Sequence, residues 1–342
     1  MRVLTLLAGT ALAFGLGLRS AGAADYEIKV MHFLPPMAPA QTQLIEPWAK
    51  AVEEQSGGRI AVTIYPAMQL GGKPPQLIDQ VRDGVVEVVW TLPSYTAGRF
   101  PIISVFELPF MVSDAKATSQ AVQEFAETYA MEEFAEVHPL LFHVHDRGLL
   151  HSKTKQILSV EDFKGMKLRA PSRSIGDALA AFGAEPIFMP VPQMPEALSK
   201  GVIDGAVVPW EVTLPLKLSE LVTHHTEIEG PRGLYTSVFL YAMNKDFYAK
   251  LPDDLKAVID ANSGMNIAAR IGEAWDKAEE PGRAKAVELG NTIAVMPDAE
   301  VQKMMTLSQG VIDAWVAEMD AAGKEGKAML EAARALVDKY GS

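Results

Sequence analysis

One arginine stands in a setting suited to binding an acid. Arg169 lies in Gly165-Met166-Lys167-Leu168-Arg169-Ala170-Pro171-Ser172, a run of strand length closed by a proline, so residues 166–170 are expected to be extended. A guanidinium offers a rigid fork of donors that matches a carboxylate, and at a strand end facing a cleft it would orient an organic acid bidentately. Other side chains stand after strands as well. His32 and Phe33 follow an opening strand at 26–32, and Trp90, Leu92 and Tyr95 belong to the end of a third strand at 85–91 and its loop. Trp210 and Glu211 follow Asp204-Gly205-Ala206-Val207-Val208-Pro209. A tryptophan face could cover a flat or apolar body, and the glutamate could meet a hydroxyl, an ammonium or a cation. His151 and Tyr235 stand on extended segments expected to cross between two halves of the chain.

Other chemistries fit less well. His143-Val144-His145-Asp146, His151 and His224-His225 could build a metal site, because alternate strand positions share a face, but no metalloprotease-type helix spacing is present. Zero cysteines remove thiol nucleophiles, thiolate ligands and a disulfide framework. Gly71-Gly72 lacks the flanking pattern of a phosphate loop, and no serine sits in a G-x-S-x-G elbow. No catalytic residue, metal or cofactor is therefore expected.

The elements that would position these residues alternate. After the strand at 26–32 come a helix at 42–55, a strand at 59–66, a helix at 75–83 and the strand at 85–91, an order that implies a parallel sheet. A long helix is expected at 115–136, then strands at 140–145 and 148–152. A second β-α-β-α-β unit follows, with strands at 166–170, 185–190 and 206–209 and helices at 174–182 and 193–200. Residues 230–243 read as a strand crossing back. From Pro252 the pattern is helical over 253–278, with a continuation to 289 that Pro281 should bend or break, then a short strand at 292–295 and helices at 298–322 and 327–340.

Residues 1–23 read as a signal peptide: Met1-Arg2, a run of small and apolar residues from Val3 to Leu18, and Ala21-Gly22-Ala23 as a cleavage site. That run is short for a span needing about 20 apolar residues, and no later stretch would serve, so an exported, soluble chain is expected. Removing residues 1–23 from 342 leaves 319, enough for two lobes. It also removes Arg2 and Arg19, which takes the net charge from −12 to −14 and argues against nucleic acid or anionic membranes as partners.

The arginine run, together with Leu179-Ala180-Ala181-Phe182-Gly183-Ala184-Glu185-Pro186 and Glu196-Ala197-Leu198-Ser199-Lys200-Gly201-Val202-Ile203-Asp204-Gly205-Ala206, resembles the core motif of the DctP-type substrate-binding proteins of TRAP (tripartite ATP-independent periplasmic) transporters. Ile64-Tyr65-Pro66-Ala67-Met68-Gln69-Leu70-Gly71-Gly72, Phe106-Glu107-Leu108-Pro109-Phe110 and the segment 243–252 extend the resemblance over nearly the whole mature chain. It implies an α/β, two-lobe periplasmic binding protein fold with the ligand cleft between lobes and a long C-terminal helix, here 264–289, bracing both. Arg169 would be the family's carboxylate-binding arginine. Some members carry a second ligand arginine near the lobe-to-lobe strand; Arg147 stands two residues from that place, which is nearer Leu149. Where members with a sialic-acid-type motif have Asn-Pro, this chain has Val208-Pro209, and Phe33 replaces a polar residue of some sugar-acid binders.

The expected division is 24–148 plus about 238–275 for the first lobe, and 149–237 plus about 276–342 for the second. The expected function is that of a periplasmic solute receptor, not an enzyme, that closes on a small organic carboxylate and delivers it to TRAP membrane subunits. Phe33, Trp90, Tyr95 and Trp210 favour an aromatic or compact monocarboxylate. The rival readings are a binding module for a membrane sensor and a metal-dependent periplasmic hydrolase.

Overall fold

The structure, a computed structural model, describes residues 24–341; the segment read above as a signal peptide lies outside them. Strand β1 (Tyr26–His32) leads through helix α1 (Glu46–Gln55) to β2 (Ile60–Tyr65), and α2 (Leu77–Arg82) leads to β3 (Val88–Thr91). Both β2 and β3 run parallel to β1, as the alternation of strand and helix requires. Helix α3 (Ala115–Phe125) starts at Asp114, whose carboxylate accepts from the Ala117 amide at 2.7 Å. The single helix expected over 115–136 is not formed. After Phe125 the backbone widens into a π turn at Ala126–Ala130 and then tightens into a 3₁₀ turn at Met131–Phe134 before β4 (Val137–Val144).

The chain then enters a second sheet through β5 (Leu149–Ser152). It continues as β6 (Lys167–Ala170), α4 (Arg173–Ala181), β7 (Glu185–Phe188), α5 (Met194–Ser199), β8 (Gly205–Val208) and β9 (His224–Glu227). It returns as β10 (Val238–Asn244), shorter than the strand expected from residue 230, to pair antiparallel with both β3 and β4. Helices α6 (Lys245–Lys250), α7 (Asp253–Ala261) and α8 (Met265–Glu288) follow. The helix expected over 253–278 breaks at Asn262–Gly264, where Gly264 takes φ of +57°. Strand β11 (Thr292–Val295) joins the second sheet, and α9 (Asp298–Ala321) and α10 (Gly326–Gly341) close the chain. The sheets run β2-β1-β3-β10-β4 and β11-β9-β5-β8-β6-β7. No helix among the described residues is long and apolar enough to cross a membrane.

Helix α8 grips both lobes. On the first, a Cβ at Gly272 would lie 2.4 Å from the Ala115 carbonyl, and the Asp276 carboxylate accepts from the Ala115 and Lys116 amides at 2.6 and 3.1 Å, capping α3. On the second, a Cβ at Gly282 would lie 2.1 Å from the Trp210 carbonyl, and Glu279 accepts from the Trp210 and Glu211 amides at 2.9 and 3.0 Å. Of the bend or break expected at Pro281, the break does not occur: the helix runs on through it, so the contacts on either side outweigh the backbone hydrogen bond lost at proline. Helix α10 packs on α3. It also packs on α9, which packs on α4 of the second sheet.

Candidate functional site

Strand β6 lies inside the second sheet, with Arg169 paired to Ile187 on one side and Ala206 on the other. Alternation sends Leu168 into the core of that lobe, so Arg169 faces the other side, where it is 2 % exposed. Its Nε donates to the Met189 carbonyl at 3.0 Å and its Nη1 to the Val207 carbonyl at 3.3 Å. A guanidinium has five N–H donors, so these two bonds hold the fork and leave donors for a ligand. No ion pair among the described residues involves Arg169. A buried cation without an acidic partner is costly, and an anion entering the cleft would relieve that cost.

Around it lies a narrow cleft of about 30 Å³. The first lobe supplies an aromatic stack. Phe33, just past β1, lies on Trp90 with centroids 4.9 Å apart and planes 22° apart, and Trp90 lies on Phe239 at 4.5 Å and 18°. The Trp90 indole donates to His143 Nε2 at 2.8 Å, which fixes the ring in its own sheet. Tyr95 meets Phe33 edge-on at 5.6 Å, and its hydroxyl accepts from the Val191 amide at 3.0 Å, a bond that joins the lobes. From the segment that crosses back to the first sheet, the Tyr235 hydroxyl donates at 2.8 Å to the same Val207 carbonyl that holds Arg169. Gly148 is required beneath it, since a Cβ there would fall 1.9 Å from the Tyr235 ring.

Six of the expected residues thus line one cleft: Phe33, Trp90, Tyr95, Arg169, Glu211 and Tyr235. Four do not. Trp210 turns away from the cleft to pack on His151 and His225, and its indole donates to Glu227 at 3.0 Å. Arg147 binds the Ser113 and Gly230 carbonyls at 2.5 and 2.7 Å, tying the first lobe to the returning crossing segment. His32 bonds Gln41 at 3.0 Å, and His151 is buried in the second sheet. The lining residues that sequence reasoning passed over include Ser237 and Phe239. Their signal was the period of two that starts at Tyr235, which puts 235, 237 and 239 on one face. His145, considered only as a metal ligand, also lines the cleft; its Nε2 accepts from the Ser237 amide at 3.0 Å, and burial pushes its pKa down to about 3.

Two others, His151 and His225, form a neutral relay. His151 Nε2 donates to the Val208 carbonyl at 3.1 Å, His225 Nδ1 then donates to His151 Nδ1 at 2.7 Å, and His225 Nε2 accepts from Asn291 at 3.1 Å. Each ring nitrogen is spent, and the described residues hold no cluster able to bind a metal ion.

Burial raises several carboxyls: Glu211 to about 8, and Glu107, Glu133 and Asp276 each to about 7. These groups bind protons more tightly folded than unfolded, so their contribution is full below the unfolded carboxyl pKa and is lost as pH rises through the folded values. Buried histidines have the opposite sign and act only below about pH 6.5, their unfolded value. Thermal denaturation should therefore show the melting temperature falling from about pH 6.5 to about pH 8.5. A flat or rising profile in that window would contradict these assignments.

Four similarities bear on this site. The profile of DctP, bacterial extracellular solute-binding protein, family 7, matches residues 30–318. A TRAP solute-binding protein from Rhodoferax ferrireducens T118, solved in complex with copurified benzoate, is 44 % identical with a TM-score of 0.90, over 92 % of this chain and 98 % of that one. A marine metagenome TRAP solute-binding protein specific for aromatic acid ligands, solved with 3-hydroxybenzoate, is 45 % identical with a TM-score of 0.90, again over 92 % of this chain and 98 % of that one. The C4-dicarboxylate-binding periplasmic protein DctP of Rhodobacter capsulatus is 26 % identical over 76 % of this chain and 77 % of its own length. With a two-lobe fold, a cleft arginine and a profile match over most of its length, the chain belongs to the DctP family of TRAP transporter solute-binding proteins, which bind solutes and are not enzymes.

Proposed function

We propose that the protein is the periplasmic receptor for an aromatic monocarboxylate, which it hands to the membrane subunits of a TRAP permease. One observation carries the reading: a buried guanidinium without an acidic partner faces a small cleft walled by the Phe33–Trp90–Phe239 stack. The guanidinium suits one carboxylate, and the stacked rings suit a flat apolar body better than a row of sugar hydroxyls, which would leave polar groups unpaired against them. The aromatic acids held by the two solved relatives support it. Export by cleavage after residue 23 belongs to the same reading.

Delivery in this reading depends on closure. The crossings at 145–148 and 228–237 are the hinge, and the Tyr95–Val191 bond forms only when the lobes meet. The test is a thermal-shift panel of benzoate, 3-hydroxybenzoate, mandelate, acetate and galactonate. An acid at about 100 times its dissociation constant adds about 2.7 kcal/mol of stability. Benzoate or a close analogue is expected to raise the melting temperature and galactonate to leave it unchanged; the reverse order would overturn the proposal.

A further inference from the structure

We propose that Glu211 selects ligands carrying a hydrogen-bonding substituent, such as a ring hydroxyl, away from the carboxylate that Arg169 holds. This rests on the reading of the cleft as an aromatic-acid site and specifies the ligand further. Glu211 is 5 % exposed and lines the same cleft as Arg169, yet the two opposite groups form no ion pair among the described residues. A buried carboxyl and a buried guanidinium that line one cavity without pairing can each meet a different part of one ligand. The Trp275 indole donates to Glu211, which uses only part of the carboxyl's hydrogen-bonding capacity. Glu211 also borders an outer groove formed by Met37, Thr42, Leu214, Arg270 and Lys277, so it stands where the cleft meets the mouth between the lobes.

A plain hydrocarbon edge pushed against this carboxyl would strip its water and leave it unsatisfied, whereas a phenolic hydroxyl would satisfy it. Burial, opposed by the Trp275 bond, brings its pKa to about 8, so at neutral pH it is largely protonated and can both donate to and accept from that hydroxyl. A neutral group there also avoids a second negative charge facing an anionic ligand.

The discriminating experiment is calorimetry at pH 7 with benzoate and the near-isosteric pairs 3-hydroxybenzoate against 3-methylbenzoate and 4-hydroxybenzoate against 4-methylbenzoate. In the natural protein at least one hydroxyl acid is expected to bind about tenfold or more tighter than its methyl partner. Glu211→Leu should erase or invert that ratio, and Glu211→Gln, which keeps hydrogen-bonding capacity, should retain part of it. Methyl acids bound as tightly as hydroxyl acids by the natural protein would overturn the inference even if the leucine variant does not fold, and benzoate binding in that case would leave the aromatic-acid reading intact. A hydroxyl preference that survives in Glu211→Leu would also overturn it. Binding by none of the five acids would overturn both.

Discussion

Replacing Arg169 by alanine is expected to cost about 3–5 kcal/mol of binding to the acid that the natural protein holds, because the ligand carboxylate would be buried without its partner. Calorimetry with benzoate or its hydroxy analogue reads this directly. The fold itself should suffer less. The guanidinium is already a buried cation whose partners are two carbonyls and the Tyr95 hydroxyl, so its removal discards a desolvation cost along with those hydrogen bonds. The expected pattern is a ligand-free melting temperature near that of the natural protein, with the ligand-induced rise abolished. Arg169→Lys should recover part of the affinity, since an ammonium keeps the charge and loses the fork. Unchanged affinity in the alanine variant would remove Arg169 from the site.

Trp90→Ala is expected to lower both stability and affinity. The side chain is 1 % exposed and stacks between Phe33 and Phe239, and its indole bond to His143 joins β3 to β4 across β10. Emptying such a position costs about 3–5 kcal/mol in folding. The same change opens the wall against which an aromatic ligand would lie, so aromatic acids should weaken much more than acetate, whose contact is almost wholly with Arg169. Trp90→Phe should restore most of the stability. Equal weakening of benzoate and acetate would show that Trp90 acts through the fold alone.

Much of this architecture was legible because it depends on local pattern. Strands β1 and β8 lie within a residue of their expected limits, and α8 occupies the place expected for the bracing helix. Hydrophobic alternation over four to seven residues is a local property, and so is the cleft face of Arg169 once Leu168 must enter the core. The family resemblance added the identity of the cleft arginine, which residue type and spacing alone could not assign.

The aromatic wall was legible in type and only partly in place. Trp210 was a candidate and Phe239 was not, yet Trp210 packs behind the second sheet while Phe239 stacks in the cleft. The choice came from long-range register. Phe239 is set opposite His143 in the antiparallel pairing of β10 with β4, and Trp210 is set by the close approach of Gly282 and the carboxylate of Glu279 on α8. Arg147 was likewise diverted to backbone carbonyls more than thirty residues away in the chain.

By itself, then, the sequence determined the two α/β lobes, the acidic and cysteine-free character of the protein, the strand that carries Arg169 and the presence of a bracing helix. Propensity and hydrophobic period act within a few residues, and these features need nothing more. Only the tertiary structure decided that Arg169 lacks an acidic partner, that Glu211 faces the same cavity, and that Pro281 sits within a continuous helix. Each of these depends on how surfaces distant in sequence exclude water and which polar groups they leave unpaired. That balance is struck only when both lobes and α8 are in contact.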